Sequence, residues 1–190
     1  CSQNSHHTRI SSSSHSSYSG NLNFVLPNSH GSNGQFLKTD GSGNLSFANA
    51  GISMADQWRL NANKTGTGVI SANLERVDTD GYGQLGTGMT ESSGNFTFPS
   101  TGIYLIGLTI ATDNNVNVSI ETTQNNSSYN AAAVAKADSS TQTGTTQFIF
   151  DVTDTSTHKV NFNVFSISGT LQGSTDLNNT SFTFIRLGDT

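Results

Sequence analysis

The sequence contains a single cysteine, Cys1, so no disulfide can form within one chain. Only 11% of the residues are charged and the net charge is -5. No basic cluster is present that could neutralise phosphates, which argues against nucleic acid as a partner. No run approaches the roughly 20 apolar residues of a membrane helix, so membrane insertion is not expected. These shortages exclude a disulfide-stapled module and leave a polar, weakly acidic chain.

The motifs of common catalytic sites are also missing. There is no Gly-x-Ser-x-Gly elbow, no His-Glu-x-x-His pair and no phosphate-binding glycine loop. His158 lies in a predicted turn and is expected at the surface, not as a catalytic base. The segment Asp78–Gly83 resembles part of a calcium loop but lacks the remaining acidic ligands, so a simple turn is favoured. The sequence therefore predicts no enzyme, no catalytic residue and no cofactor.

Serine, threonine, asparagine and glycine supply the polarity, while 32% of the residues are hydrophobic and 11 are phenylalanine. These polar residues suit short strands joined by tight turns. The 190 residues give room for one ordinary domain and a peripheral segment. We expect three parts: a flexible or extended Ser- and His-rich arm over 1–20, a short β-rich neck over 21–51, and an all-β head over 52–190.

The neck contains three short apolar segments, Leu22–Leu26, Phe36–Leu37 and Leu45–Phe47, separated by two strong turn signals. Strands this short cannot bury a core alone, so we expect three copies to wrap around one axis. The sequence LPNSHGSNGQFLKTDGSGNLSF resembles a segment found in many phage tail-fibre and related structural proteins. That resemblance implies a fibre neck followed by a C-terminal head.

Period-2 alternation of apolar and polar residues dominates the head. Val116, Val118 and Ile120 alternate with polar neighbours, as do several later phenylalanines and valines, and turn clusters recur about every ten residues. No long segment has helical periodicity, and the alanine-rich run 131–135 is predicted to be a strand. This pattern is typical of a β-sandwich or jelly roll.

A second resemblance lies within the head. The run Gly94–Ile106 (GNFTFPSTGIYLI) looks like the G-x-F-x-x-P-x-x-G-x-Y-x-F signature of the complement C1q and tumour necrosis factor superfamily. The closing segment Ser181–Gly188 looks like the last strand of that family. Ile106 stands where an aromatic residue is usual, which affects packing and not the fold. The resemblance implies a ten-strand jelly roll that is a homotrimer, with both termini at its base and binding at the opposite end.

The predicted strand from Ile103 to Ile110 is apolar on both faces, which argues for assembly. A strand in a sandwich normally has one wet face, so a second apolar face needs cover from a further subunit around a three-fold axis. The alternative is a long loop that covers a central strand. We assign to the trimer interface the face that carries Tyr104, Ile106, Leu108 and Ile110.

Counting strand directions from the base predicts which loops lie at the far end. Amides and carboxylates on these loops suit a hydroxyl-rich glycan, although ordinary solvated turns would look the same. Asp113 and Asp176 are also weak calcium candidates, because similar heads hold calcium at the tip. The predicted ligand-binding residues are Asp113, Asn114, Asn115, Asp138, Gln142, Gln172, Asp176, Asn178 and Asn179.

The function predicted from these features is that of a viral, phage-type fibre or spike protein. Its trimeric head would recognise a host-surface glycan or protein, and its N-terminal part would contact other virion or tail proteins. The expected location is the virion surface or the extracellular space. Two alternatives stay open: a purely structural virion decoration or fibre-joint protein, and a secreted non-viral trimer of the same fold.

Overall fold

The computed structural model describes residues 23–49, 51–138 and 142–190. Every named element in these ranges is a β-strand, and none of them contains a helix long and apolar enough to cross a lipid bilayer. The chain divides into two compact units, 1–50 and 51–190. The predicted arm over 1–20 lies outside the described residues.

The described part of the first unit contains a two-stranded hairpin, made of β1 (Gln35–Thr39) and β2 (Leu45–Asn49). Its turn is fixed by Asp40, whose Oδ1 accepts hydrogen bonds from the backbone N–H groups of Ser42 at 2.8 Å and Asn44 at 3.1 Å. Gly41 and Gly43 both have positive φ, at 81° and 97°, which a glycine adopts without strain. This turn gives a physical reason for the Asp-Gly-x-Gly motif. The fibre-type neck itself stays a prediction.

The described part of the first unit leaves most of its large apolar side chains in contact with solvent. Phe24, Val25 and Leu26 are 55–62% exposed, and Phe36 and Leu37 are each 47% exposed. A two-stranded hairpin has no second layer to cover such residues. The described part of this unit therefore lacks a core of its own.

The second unit is a two-layer sandwich of eleven strands. One sheet has the order β11-β8-β13-β3-β5, and the other has the order β10-β9-β12-β7-β6 with β4 paired to β12. All named pairings are antiparallel. The resemblance implied ten strands, and the described residues of this unit form eleven. The strands are β3 (Met54–Leu60), β4 (Gly68–Val69), β5 (Leu74–Arg76), β6 (Thr90–Ser92), β7 (Asn95–Thr97), β8 (Gly102–Thr112), β9 (Val116–Thr123), β10 (Asn130–Ala137), β11 (Gln142–Val152), β12 (Lys159–Ile167) and β13 (Ser181–Gly188).

The core between the sheets is built around the fully buried ring of Phe96. Its ring centroid lies 5.4 Å from that of Trp58, 5.8 Å from Phe162 and 5.1 Å from Phe184. The rings of Trp58 and Phe162 meet it edge-on, an arrangement that aromatic quadrupoles favour. Residues of both sheets thus converge on the segment that carries the predicted family signature.

The face of β8 that we assigned to the trimer interface is instead the core face. Tyr104, Ile106, Leu108 and Ile110 are at most 1% exposed within a single chain and pack in the core cluster between the two sheets. The opposite face carries Ile103, Leu105, Gly107 and Thr109, which are half-buried. The assignment was wrong because both faces are apolar, and alternation alone does not say which of them meets the second sheet.

A buried carboxylate at the edge of this core joins two strands, β3 and β5, to the loop between β5 and β6. Asp56, 2% exposed, accepts hydrogen bonds from Arg76 Nε at 3.0 Å, Tyr82 OH at 2.7 Å, Trp58 Nε1 at 3.0 Å and Met89 N at 2.7 Å. Burial alone would raise the pKa of Asp56, but these hydrogen bonds outweigh it and lower the pKa below its ordinary value of 3.8. The ionised form is therefore the one that the fold stabilises.

Replacing Asp56 with asparagine should destabilise the second unit by about 2–3 kcal/mol, because an amide nitrogen cannot accept the bonds that a buried carboxylate oxygen accepts. Since the folded pKa is depressed, the stabilisation is present above pH 3.8 and is lost as the pH falls through the folded pKa. Denaturant unfolding at several pH values measures both effects. Asp80→Asn is the matched control, because Asp80 is exposed and has a φ of 53° that asparagine tolerates. Equal losses in the two variants would contradict the role given to Asp56.

Candidate functional site

Three turns meet at one end of the sandwich, which we call the tip. The turn after β8 is tied to the loop after β12, because Thr170 N–H donates to Asp113 Oδ1 at 2.6 Å and Ser168 N–H donates to Asn115 O at 2.8 Å. Asn115 Nδ2 also donates to Asp138 Oδ1 at 3.3 Å, which joins the turn after β10. These contacts bring together six of the nine predicted residues. This tip patch consists of Asp113, Asn114, Asn115, Asp138, Gln142 and Gln172.

Several side chains of the tip patch help to hold the turns in place. Asn114 Oδ1 accepts from Asn115 N–H at 2.8 Å, and Gln142 Oε1 accepts from Asp138 N–H at 3.1 Å. Gln172 is fixed through its backbone N–H, which donates to Ala111 O at 2.9 Å. The tip patch is therefore a polar surface in which several side-chain oxygens already hold the turns.

Residues just after β3 also reach the tip and were not predicted. Lys64 exchanges two backbone hydrogen bonds with Leu171, at 2.9 and 3.0 Å, and Asn63 Oδ1 accepts from Gly173 N–H at 3.0 Å. The signal was available in principle, because β3 is antiparallel to the closing strand β13 and so ends at the tip. Lys64 adds a positive charge beside a patch that otherwise carries only carboxylates and amides.

The other three predicted residues lie apart from the tip patch. Asn178 Nδ2 donates to Gln57 Oε1 at 2.9 Å, in the middle of β3, and Asp176 O accepts from Thr79 Oγ1 at 3.4 Å. The long loop after β12 thus turns back along β3 and closes a shallow pocket of about 300 Å³ with the 77–82 loop. Asp176, Asn178 and Asn179 form this side patch.

The two calcium candidates do not come together. Asp113 belongs to the tip patch and Asp176 to the side patch, and the described residues contain no group of three His, Cys, Asp or Glu side chains that could hold a metal ion. The segment Asp78–Gly83 is a turn bound to the sheet, in which Asp78 pairs with Arg59 NH2 at 2.9 Å. Within one chain, the described residues therefore bring no cluster of calcium ligands together.

A row of apolar side chains crosses the outer face of the five-stranded sheet. Leu105 on β8 is paired in register with Ile149 on β11 and with Ile185 on β13, and Ile185 is paired with Ala55 on β3. Ile149 is 60% exposed, and the other three are half-buried. We call Ile149, Leu105, Ile185 and Ala55 the apolar row. The next row along the sheet is polar, with Gln147, Gly107, Thr183 and Gln57 in register.

His158 is buried, in contrast to the expectation that it would lie at the surface. It is 7% exposed, and its ring stacks on Phe150 at a centroid distance of 5.6 Å. Both ring nitrogens lie within hydrogen-bond distance of hydroxyls, those of Thr153 at 3.3 Å and Thr157 at 3.1 Å. These contacts describe a histidine that anchors the turn between β11 and β12.

Solved structures share this fold at low sequence identity. Murine APRIL aligns with a TM-score of 0.56 and 11% identity, over 70% of this chain and 98% of its own. The vertex protein P5 of PRD1 aligns with a TM-score of 0.50 and 17% identity, over 73% of this chain and all of its own. No family model and no curated protein sequence matches the chain. The likeness confirms the predicted jelly-roll fold, and identities this low show the fold alone.

Replacing Gly169 with alanine should disturb the tip patch, because the added Cβ would meet the Asp113 carboxylate and the backbone and Cβ of Asn114. We expect a loss of about 1–3 kcal/mol in unfolding free energy and faster hydrogen exchange at Thr170 N–H. Gly83→Ala is the matched control, since nothing lies within 4 Å of its added Cβ. Unchanged exchange at Thr170 in Gly169→Ala would contradict the tight contact between these turns.

Proposed function

We propose that this chain is the neck and trimeric head of a viral, phage-type fibre or spike, located at the virion surface, and that its tip patch contacts a host-surface glycan or protein. The N-terminal part would contact other virion or tail proteins. The proposal gives the chain a binding role and assigns no catalytic residue. The observation that carries it is the apolar row on the outer face of the five-stranded sheet, together with the uncovered apolar side chains of the hairpin.

Assembly of three copies would cover both surfaces. Leu105 and Ile185 lie on a face that meets no second layer in the described part of the chain. Five large apolar side chains of the first unit are 47–62% exposed, namely Phe24, Val25, Leu26, Phe36 and Leu37. Burial of such surface contributes roughly 25 cal/mol per Å² of apolar area, which favours association. A three-fold arrangement agrees with the family signature in Gly94–Ile106 and with the resemblance of the neck sequence to tail-fibre segments.

The position of the tip patch supports receptor contact. Polar turns held on a rigid sandwich can recognise a ligand without first being ordered, and three copies would convert weak contacts into avidity. Carboxylates and amides of Asp113, Asn114 and Asp138 can exchange hydrogen bonds with hydroxyl groups or with a polar protein surface.

A purely structural virion protein is the second candidate, and one observation favours it. The Asp113 carboxylate and the Asn114 and Gln142 side-chain oxygens already accept hydrogen bonds from backbone N–H groups of the tip. A tip that uses its polar side chains to fix its own turns needs no ligand to explain them.

Leu105→Asp should convert the assembly into folded monomers, because it places a charge in the middle of the apolar row. Light scattering measures the mass, and circular dichroism checks the fold. Phe165→Asp is the matched control, since Phe165 is 47% exposed on β12 of the other sheet and should leave the mass unchanged. Tyr104→Asp should instead unfold the sandwich, because Tyr104 lies in the core. A Leu105→Asp variant that keeps the wild-type mass would remove the apolar row from the interface.

The tip double variant Asn114→Ala with Asp138→Ala should weaken attachment of the labelled protein to host cells by about tenfold or more, equivalent to about 1.4 kcal/mol in the measured binding free energy. The side-patch double variant Asp176→Ala with Asn178→Ala removes the same pair of side-chain types and should attach like the unaltered protein. Light scattering first confirms that both variants assemble normally. Normal attachment by the tip variant would favour the structural virion protein.

A further inference from the structure

A groove lies between the free edges of the two sheets, at the end of the sandwich opposite the tip. β10 and β11 are the last strands of their sheets, and the groove runs between the end of β11 and the 124–129 loop that joins β9 to β10. Its volume is about 410 Å³. The side chains that matter to the argument are Gln124, Asn125, Asn130, Phe148, Ile149 and Asp151.

One wall of the groove is a preformed loop. Asn125 Oδ1 accepts hydrogen bonds from the hydroxyls of Thr123 at 2.9 Å and Ser127 at 3.0 Å, and from the backbone N–H groups of Ser127 at 3.0 Å and Ser128 at 2.8 Å. Asn126 N–H donates to Thr157 O at 2.9 Å and fixes the loop to the neighbouring turn. The wall therefore keeps its shape without a ligand.

Three hydrogen-bonding side chains on this groove are not used by the fold. Gln124, Asn130 and Asp151 are exposed, and their side chains make no hydrogen bond or ion pair with the described part of the chain. The two amides each offer a donor and an acceptor, and the carboxylate offers acceptors only. This differs from the tip patch, where several polar side chains hold the turns.

The remaining wall of the groove is apolar and partly aromatic. Phe148 is half-buried and lies 6.2 Å, between ring centroids, from the core residue Phe150. Ile149, which also belongs to the apolar row, lines the same edge, so a second copy seated on the row would border the groove. An apolar wall faced by a few convergent polar groups is the usual make-up of a small-ligand site.

We propose that this groove binds a neutral, hydroxyl-rich glycan. The amides of Gln124 and Asn130 would exchange hydrogen bonds with adjacent hydroxyls, Asp151 would accept from a further hydroxyl, and the sugar C–H surface would pack on Phe148. Asp151 carries the only charge among the lining residues, so a carboxylated or sulfated sugar would meet repulsion without a compensating cation. The proposal does not depend on the tip patch or on the identity of a host.

The test uses the purified full chain on immobilised neutral oligosaccharides of hexoses and N-acetylhexosamines, beside the same oligosaccharides capped with sialic acid. We expect saturable binding to at least one neutral glycan and at least tenfold weaker binding to its sialylated form. Calorimetric titration with that neutral glycan then measures the variants.

Asn130→Ala with Asp151→Asn should weaken binding at least tenfold, and Gln124→Ala on the loop should weaken it without touching a strand. Asn28→Ala and Asp80→Asn remove the same kinds of group elsewhere and should bind normally. Unchanged binding by the groove variants, equal binding of sialylated glycans, no neutral glycan bound, or capture of extended peptides alone would each overturn the proposal. Host-cell attachment is a separate readout, so failure here leaves the proposal for the tip intact.

Discussion

The contact between the two sheets around Phe96 fixes the position of everything else in the head. Rings from β3, β12 and β13 converge on it, so the two layers are held at one separation and in one register. That packing determines where the turns at each end lie, because each turn begins where a strand leaves the core. Tyr104 lies in this core and is paired in register with Phe150, which lines the groove.

Alternation in the sequence was enough to predict the strands and the sandwich. It could not decide which face of β8 meets the second layer, because Ile103 and Leu105 are as apolar as Tyr104 and Ile106. Nor could it predict the Asp56 network, since Arg76, Tyr82 and Met89 reach the carboxylate from 20, 26 and 33 residues away. Such contacts depend on how the loops close over the sheet edge, which short-range patterns do not encode.

Counting strand directions predicted the tip in part. The turn at Asp113 is short, so it must lie at the end of the sandwich where its two strands meet. The loop after β12 is long enough to turn back along the sheet, and its Asn178 reaches Gln57 on β3. The groove beside Asn130 and Asp151 was not predicted at all. It lies between β10 and β11, which are neighbours in space but belong to different sheets and are not paired. The sequence of neither strand indicates that the other lies beside it.

We propose that two further copies of the same chain cover the apolar surfaces of the hairpin and the head. The most direct test is the mass of this 190-residue chain in solution at micromolar concentration, measured by light scattering. We expect a trimer with three times the chain mass of 20.0 kDa, about 60 kDa. A stable 20 kDa monomer with the same fold would contradict it, because the apolar row and the hairpin would then stay exposed to water.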